Sequence, residues 1–329
     1  MKKSLAKDLW ITGGLVVILL AMIFVWVFFV GVSTGKAGDF FNKGKNAIWI
    51  AHEWAAEKKS DAEVRKLVSG LSAHGISTIF LHVGPLDEYG FINSEIYKET
   101  VGFVEKVRGI DPDMKILAWV GQVRGKLDLS KVAVRHNILN MCMIFTDMIG
   151  MDGVHYDIEP VWDNDEDFIK LLEETRAQFG GSGKILSVAL AEFIPSSFIW
   201  WTESIAGYQN YNTEKNYSNV AKYADQIVDM VYDTGMDRAY VYRWFMKEQV
   251  IWVGDLLGGD VEFLVGIPAY GEGEGHNPRV ENVENALLGV LKGLNDIRSN
   301  EENFTGIAVY PEWEMSEEEW GAYDVLWGK

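Results

Sequence analysis

Past residue 45 the chain alternates between short apolar runs and longer segments in which apolar positions recur every three or four residues. A run of about four to eight apolar residues between turn-forming residues reads as a buried strand, whereas recurrence at i, i+3, i+4 and i+7 marks one face of a helix. Ala47-Ile-Trp-Ile-Ala51 predicts a first strand, and Ser60–His74, with Val64, Leu67, Val68 and Leu71 on one face, predicts a helix. Further strands are predicted at Ser77–Val83, Lys115–Val120, Met151–Pro160, Lys184–Leu190, Gln226–Asp233, Glu262–Pro268 and Thr305–Tyr310. Helical spacing covers Ser94–Arg108, Ser130–Ile149, Glu166–Phe179, Tyr242–Leu257, Glu281–Arg298 and finally Ser316–Leu326. Only between the fifth and sixth strands does the alternation stretch, into the aromatic segment Phe193–Tyr217. Eight strand-helix units over residues 46–329 have the size and pattern of an α/β fold of the (β/α)8 TIM barrel kind. A doubly wound open sheet is the alternative, but no Gly-x-Gly-x-x-Gly follows the first strand.

The amino-terminal part has a different pattern. Residues 1–10 form a short tail, and Ile11–Val32 is a run of 22 residues without a charge. At about 1.5 Å per residue such a helix crosses a hydrocarbon core of roughly 30 Å, so the run reads as a transmembrane anchor. The rival is a cleaved secretory signal, since Lys2, Lys3 and Lys7 make a basic start. A signal's apolar region is only about 7–15 residues and ends in a small-x-small site, which Gly31–Lys36 matches weakly. The reading adopted is a retained single-pass anchor. Residues 33–45, with three glycines and three lysines, read as a linker, and the three lysines on each flank leave the anchor unoriented by charge.

Charge narrows the partners. The net charge is −18, and residues 1–45 hold six lysines against two acids, so the remainder carries −22. That surface argues against nucleic acid or anionic lipid as ligand and is compatible with a neutral polymer. The single cysteine, Cys142, has no partner for an internal disulfide, so stability must come from the core. Asn216-Tyr-Ser and Asn303-Phe-Thr fit the glycosylation tripeptide, which is common by chance.

The chemistry concentrates in the fourth strand, MDGVHYDIEP from Met151 to Pro160. Side chains alternate along a strand, so Val154, Tyr156 and Ile158 share one face while Gly153, His155, Asp157 and Glu159 share the other. Two carboxylates on one partly buried face titrate as neighbours, and one is held protonated near neutrality, ready to act as a proton donor. Glu159 is the candidate acid. For a lone Asp-x-Glu, polar residues hydrogen-bonded at a strand end would be the ordinary reading.

The longer pattern resembles the signature of family 18 glycoside hydrolases, the chitinase-like enzymes, whose fourth barrel strand reads Asp-Gly-x-Asp-x-Asp-x-Glu. Asp152, Gly153, Asp157 and Glu159 fall on it; His155 stands where the family has a third Asp. Met230-Val-Tyr-Asp233 is similar to the family's Met-x-Tyr-Asp on strand six, and Val265–Gly271 to its Gly-Ile-Pro-x-Tyr-Gly on strand seven. The resemblance implies a glycosidase acting on β-linked N-acetylhexosamine polymers or glycans by a retaining, substrate-assisted route, the exception to the two-carboxylate rule. It implies Glu159 as acid and then base, Asp157 on the acetamido N–H, Tyr232 on its carbonyl with Asp233 beside it, and no metal or other cofactor. Substrate contacts are expected from His155, Tyr270, Tyr310, where the family has a tryptophan floor, and Trp313.

His155 either donates a hydrogen bond to Asp157, lowering its pKa if protonated, or fills an inner barrel layer. Phe198, Trp200, Trp201, Tyr208, Tyr211 and Tyr217 offer flat faces for sugar in the long segment, with ordinary packing as the alternative. Glu192, His52, Glu53 and Trp54 are further candidates for the mouth of the barrel. From a different class comes a non-catalytic carbohydrate-binding lectin on the same barrel; retention of Glu159 favours the enzyme. Because such substrates occur mainly outside the cytosol, the anchor is expected to place the barrel on the extracellular face of the membrane.

Overall fold

The computed structural model describes Gly14, residues 16–19, Met22 and residues 41–328 except Asn164, 207–210 and Glu272. Eight parallel strands close on themselves in sequence order: β1 Asn46–Ile50, β2 Ile76–His82, β3 Lys115–Val123, β4 Gly153–Glu159, β5 Ile185–Ala191, β6 Gln226–Met230, β7 Glu262–Pro268 and β8 Phe304–Tyr310. The barrel is sealed where Ala47 and Ile48 of β1 pair with Ala308 and Val309 of β8. The main outer helices are α1 Asp61–Ala73, α2 Thr100–Ile110, α3 Val132–Met143, α4 Glu166–Phe179, α5 Glu214–Val220, α6 Ala239–Leu256, α7 Val283–Leu294 and α8 Glu317–Leu326. The (β/α)8 expectation therefore holds for the described residues.

Local chemistry explains where elements start and stop. Ser60 and Glu63 make a reciprocal capping box at the start of α1, and Ser316 and Glu319 repeat it for α8. The single helix expected over Ser130–Ile149 is instead α3 followed by a π-helical turn, Ile144–Met148, in which the Thr146 hydroxyl donates to the Cys142 carbonyl at 3.0 Å. Apolar spacing does not register such a change of hydrogen-bond partner. Likewise Ser94–Arg108 begins as a 3-10 turn, Ser94–Ile96, before α2. β6 ends at Met230 and not Asp233, whose backbone takes a φ of 61° that leaves the extended region.

The core has two parts. Trp49, Phe80, Leu117, Trp119, Val228 and Leu264 fill the barrel, while the outward faces of the strands pack against the helices. β4 shows the division: Val154, Tyr156 and Ile158 are fully buried on the helix side, and His155, Asp157 and Glu159 face inward. Asp152 anchors the start of that strand, accepting from the Ile116 amide at 2.8 Å and from the Arg108 guanidinium of α2. Gly153 follows because a Cβ there would lie 2.0 Å from the Ile185 carbonyl oxygen. Cys142 is buried 3.2 Å from the Tyr156 hydroxyl, and burial pushes its thiol up to about 12.

Three expectations about the surface meet different outcomes. Among the described residues no helix is long and apolar enough to cross a membrane; most of Ile11–Val32 lies outside them. The end of the expected 33–45 linker is already docked, with Asn42 buried and its amide donating to the Trp327 carbonyl at 2.8 Å. Both asparagines of the glycosylation tripeptides, Asn216 and Asn303, are buried, so the folded chain does not present them.

One buried acid sits outside the barrel lumen. Asp229 of β6 is fully buried, with Oδ2 unpartnered and Oδ1 2.9 Å from the Tyr217 hydroxyl, which also contacts the Ala191 carbonyl at 3.0 Å. One hydroxyl proton serves one acceptor well, so the arrangement is complete when Asp229 itself is protonated and donates to Tyr217. Burial pushes this carboxyl up to about 8, against an opposing contribution from Tyr217. A raised carboxyl stabilises the fold fully below its unfolded value of 3.8 and loses that contribution as pH rises through about 8. Asp229→Asn keeps the neutral geometry at every pH. Its thermal midpoint should match the parent near pH 4 and exceed it near pH 9, by about 2–4 °C per kcal/mol recovered. Equal differences at both pH values would refute the assignment.

Candidate active site

The β3–β4 register sets Trp119 beside His155, Gly121 beside Asp157 and Val123 beside Glu159. The Trp119 indole N–H donates to Asp157 Oδ2 at 2.8 Å. Gly121 leaves room for it, since a Cβ there would stand 3.2 Å from both Trp119 Nε1 and the Asp157 carbonyl oxygen. The other carboxylate oxygen, Asp157 Oδ1, is buried with no donor from the surrounding wall, and the Asp157 carboxylate is the hydrogen-bond partner of the Glu159 carboxyl. Glu159 comes next on the same face. Burial pushes the Glu159 carboxyl well above its ordinary 4.5, and the charges of Asp157 and Asp233 push the same way. Burial also raises Asp157, but there the Trp119 donor acts in the opposite direction by favouring the charged form. The pair therefore holds a proton, and the proton belongs on Glu159.

A cavity of about 340 Å³ opens beside Glu159, lined also by Val123, Ala191, Glu192, Met230, Tyr232 and Asp233. Its neighbouring wall is aromatic. Tyr310 stacks on Tyr232 at 5.8 Å and 14°, and meets Tyr270, Trp119, Trp49 and Trp313 edge-on at 5.6, 6.1, 5.8 and 5.9 Å. Burial, then the charges of Glu159 and Asp157, keep the Tyr232 hydroxyl protonated. Above it the Tyr270 hydroxyl donates to Asp233 Oδ1, and the Asp233 amide donates to Glu281 Oε2 at 2.7 Å. His276 stacks on Tyr270 at 4.0 Å and donates from Nε2 to the Tyr270 carbonyl at 3.0 Å. Burial would lower the His276 pKa, yet Asp233 and Glu281 outweigh it and push it up to about 9. Asp233, His276 and Glu281 each present a ligand atom within 4.8 Å of the others.

Glu159, Asp157, Tyr232, Asp233, Tyr270, Tyr310 and Trp313 are thus brought to one end of the barrel. His155 is not part of that surface. It is fully buried, stacked on Phe80 at 3.9 Å and 7°, and spends both ring nitrogens elsewhere. Nε2 accepts the Trp49 indole N–H at 3.1 Å. Nδ1–H donates to the Ser187 hydroxyl at 2.8 Å, because that hydroxyl donates onward to Gln226 Oε1 at 2.8 Å. Trp49 can only donate, so the ring is neutral, and burial lowers its pKa to about 3. The expectations that His155 contacts substrate or donates to Asp157 are corrected: it fills an inner layer of the barrel.

Trp200 is 71% exposed on the short helix Ile199–Trp201. The Trp201 side chain and Tyr208 fall outside the described set. Tyr217 is packed away, and Phe198 rests against Trp252 at 5.7 Å. The sequence reading missed Trp119, His276 and Glu281. Inward alternation along β3 marks Trp119, two residues before Gly121, as a lumen residue; nothing in the spacing marks the other two.

No protein-family model and no curated protein sequence matches the chain. Solved structures do. The Group IV chitinase of Ostrinia furnacalis is 14% identical, with a TM-score of 0.57 over 86% of this chain and 99% of that one. A family 18 chitinase of Cycas revoluta, in complex with allosamidin, is 15% identical, with a TM-score of 0.59 over 86% and 99%. The spore cortex-lytic enzyme of Bacillus cereus is 10% identical, with a TM-score of 0.60 over 86% and 74%. The chain shares with these enzymes the closed (β/α)8 barrel fold.

Proposed function

We propose that the chain is a glycoside hydrolase that cleaves β-linked N-acetylhexosamine polymers or glycans with retention, using the substrate's own acetamido group as nucleophile. The observation that carries the reading is the buried Glu159 carboxyl beside Asp157, its pKa raised by burial and by that neighbour, at the mouth of a barrel whose fold is that of chitinases. An acid that holds its proton near neutrality can deliver it to a departing glycosidic oxygen. As that bond breaks, the acetamido carbonyl oxygen closes on the anomeric carbon, giving a bicyclic oxazolinium ion. Asp157, already fixed from one side by Trp119, accepts from the acetamido N–H and offsets the positive charge. Tyr232, with its hydroxyl proton retained, donates to the carbonyl oxygen. Glu159, now ionised, takes a proton from a water that attacks the anomeric carbon; the bond from that carbon to the acetamido oxygen breaks, which restores the acetamido group and the protonated Glu159. The aromatic wall around Tyr310 supplies flat apolar area for sugar rings.

Glu159→Gln should lower turnover of chitooligosaccharides at least about a hundredfold while leaving their binding nearly intact. Product analysis by mass spectrometry reads the first effect and calorimetry the second. Activity within a few-fold of the parent sinks the assignment, and a parent that binds but never cleaves favours a lectin. In the parent, turnover should persist above the ordinary carboxylate range and fall as pH rises through the elevated Glu159 pKa, since the ionised form cannot donate.

The same reading includes residues 11–32 as a retained membrane anchor with the barrel on the outer face, supported by an uncharged run of spanning length and a substrate class found in envelopes and extracellular matter. Protease added to intact cells should remove the carboxy-terminal domain on a blot. Protection that ends only on lysis places the barrel inside.

A further inference from the structure

The polar cluster above Tyr270 has a shape that the hydrolysis does not require. We propose that Asp233, His276 and Glu281 form a binding site for one tetrahedral first-row divalent cation, Zn²⁺ foremost.

Spacing is the first argument. His276 Nδ1 lies 3.4 Å from Asp233 Oδ1 and 3.3 Å from Glu281 Oε2. Metal–ligand bonds of about 2.0–2.1 Å at tetrahedral angles set ligand atoms roughly 3.3–3.4 Å apart. A charged N–H···O bond closes instead to about 2.7–2.9 Å. The separation suits a shared ion better than a shared proton.

Orientation is the second. His276 Nε2–H is committed to the Tyr270 carbonyl, so Nδ1 is the ligand atom and a cation binds there by displacing the proton that Asp233 and Glu281 favour on it; outer hydrogen bonds of this kind fix metal-binding imidazoles. The side chain is completely buried, and Nδ1 has no hydrogen-bond partner. Glu281 is also completely buried and is held before any ion arrives: Oε2 accepts the Asp233 amide at 2.7 Å, and Oε1 accepts the Thr234 hydroxyl at 2.7 Å. The two loops that carry the ligands are tied by the Gly235 amide donating to the Gly275 carbonyl at 2.8 Å.

Ligand chemistry is the third. One imidazole with two carboxylates suits Zn²⁺ or Co²⁺, whereas Ca²⁺ and Mg²⁺ prefer all-oxygen shells. Three protein ligands leave a fourth position for water. An ion there offsets the Asp233 charge, which is one of those holding the proton on Glu159. Loading therefore draws the alkaline limit of turnover to lower pH, a consequence that rests on the proposed hydrolysis, whereas binding itself does not.

The test uses the full-length chain stripped with chelator near neutral pH. Calorimetry with Zn²⁺ and visible absorption with Co²⁺ should each show one equivalent bound in tetrahedral geometry, undisplaced by excess Mg²⁺ or Ca²⁺. His276→Phe keeps a ring against Tyr270 and should weaken binding at least about a hundredfold. If that variant melts early, Glu281→Gln carries the same comparison. Nitrogen-15 spectra of the parent give a reading without any variant: the Nδ1 signal should shift on Zn²⁺ addition. The proposal is overturned by absence of stoichiometric binding, by binding that survives both substitutions, or by a doubly protonated His276 at saturating Zn²⁺.

Discussion

Two carboxyl groups on one face of a buried strand cannot both be ionised without large cost, and that repulsion organises the end of the barrel. Burial raises both Asp157 and Glu159, and the Trp119 N–H breaks the tie by favouring the charged form of Asp157. The proton is left on Glu159, where Asp157 and Asp233 reinforce it. An isolated ion pair would stabilise little here; the asymmetry between the two carboxyls is what turns a costly arrangement into a poised acid.

The surrounding structure serves that asymmetry. Gly121 makes room for the indole, the Asp152–Arg108 pair pins the start of β4, and the neutral His155 plugs the lumen beneath the site. A third aspartate in place of His155 would bring another charge to the same face. The Trp49–His155–Ser187–Gln226 chain instead meets every ring nitrogen with a neutral partner. The acid thus works above a polar but uncharged floor, close to the aromatic wall centred on Tyr310.

Much of this is written in the local pattern. Period-two alternation put Asp157 and Glu159 on one face, and the spacing of apolar runs counted out the eight strands, because both follow from geometry within a single element. What could not be read depends on elements meeting. Trp119 reaches Asp157 only through the β3–β4 register, and His276 and Glu281 find Asp233 only when two loops close on each other. His155 was open to two readings because its partners, Trp49 and Ser187, come from strands far apart in sequence. The aromatic segment misled for a related reason: exposure of a ring is set by what folds over it, so Tyr217 is core while Trp200 faces solvent.

The central claim is that the paired carboxylates act with the substrate's acetamido group and not with a protein nucleophile. It is tested most directly by the rates of aryl N-acetylglucosaminides or chitobiosides whose acetamido methyl carries none, one, two or three fluorines. Fluorine drains the carbonyl oxygen that must attack, so kcat/KM should fall steeply and continuously across the series. A flat series would contradict the account and place the nucleophile on the protein.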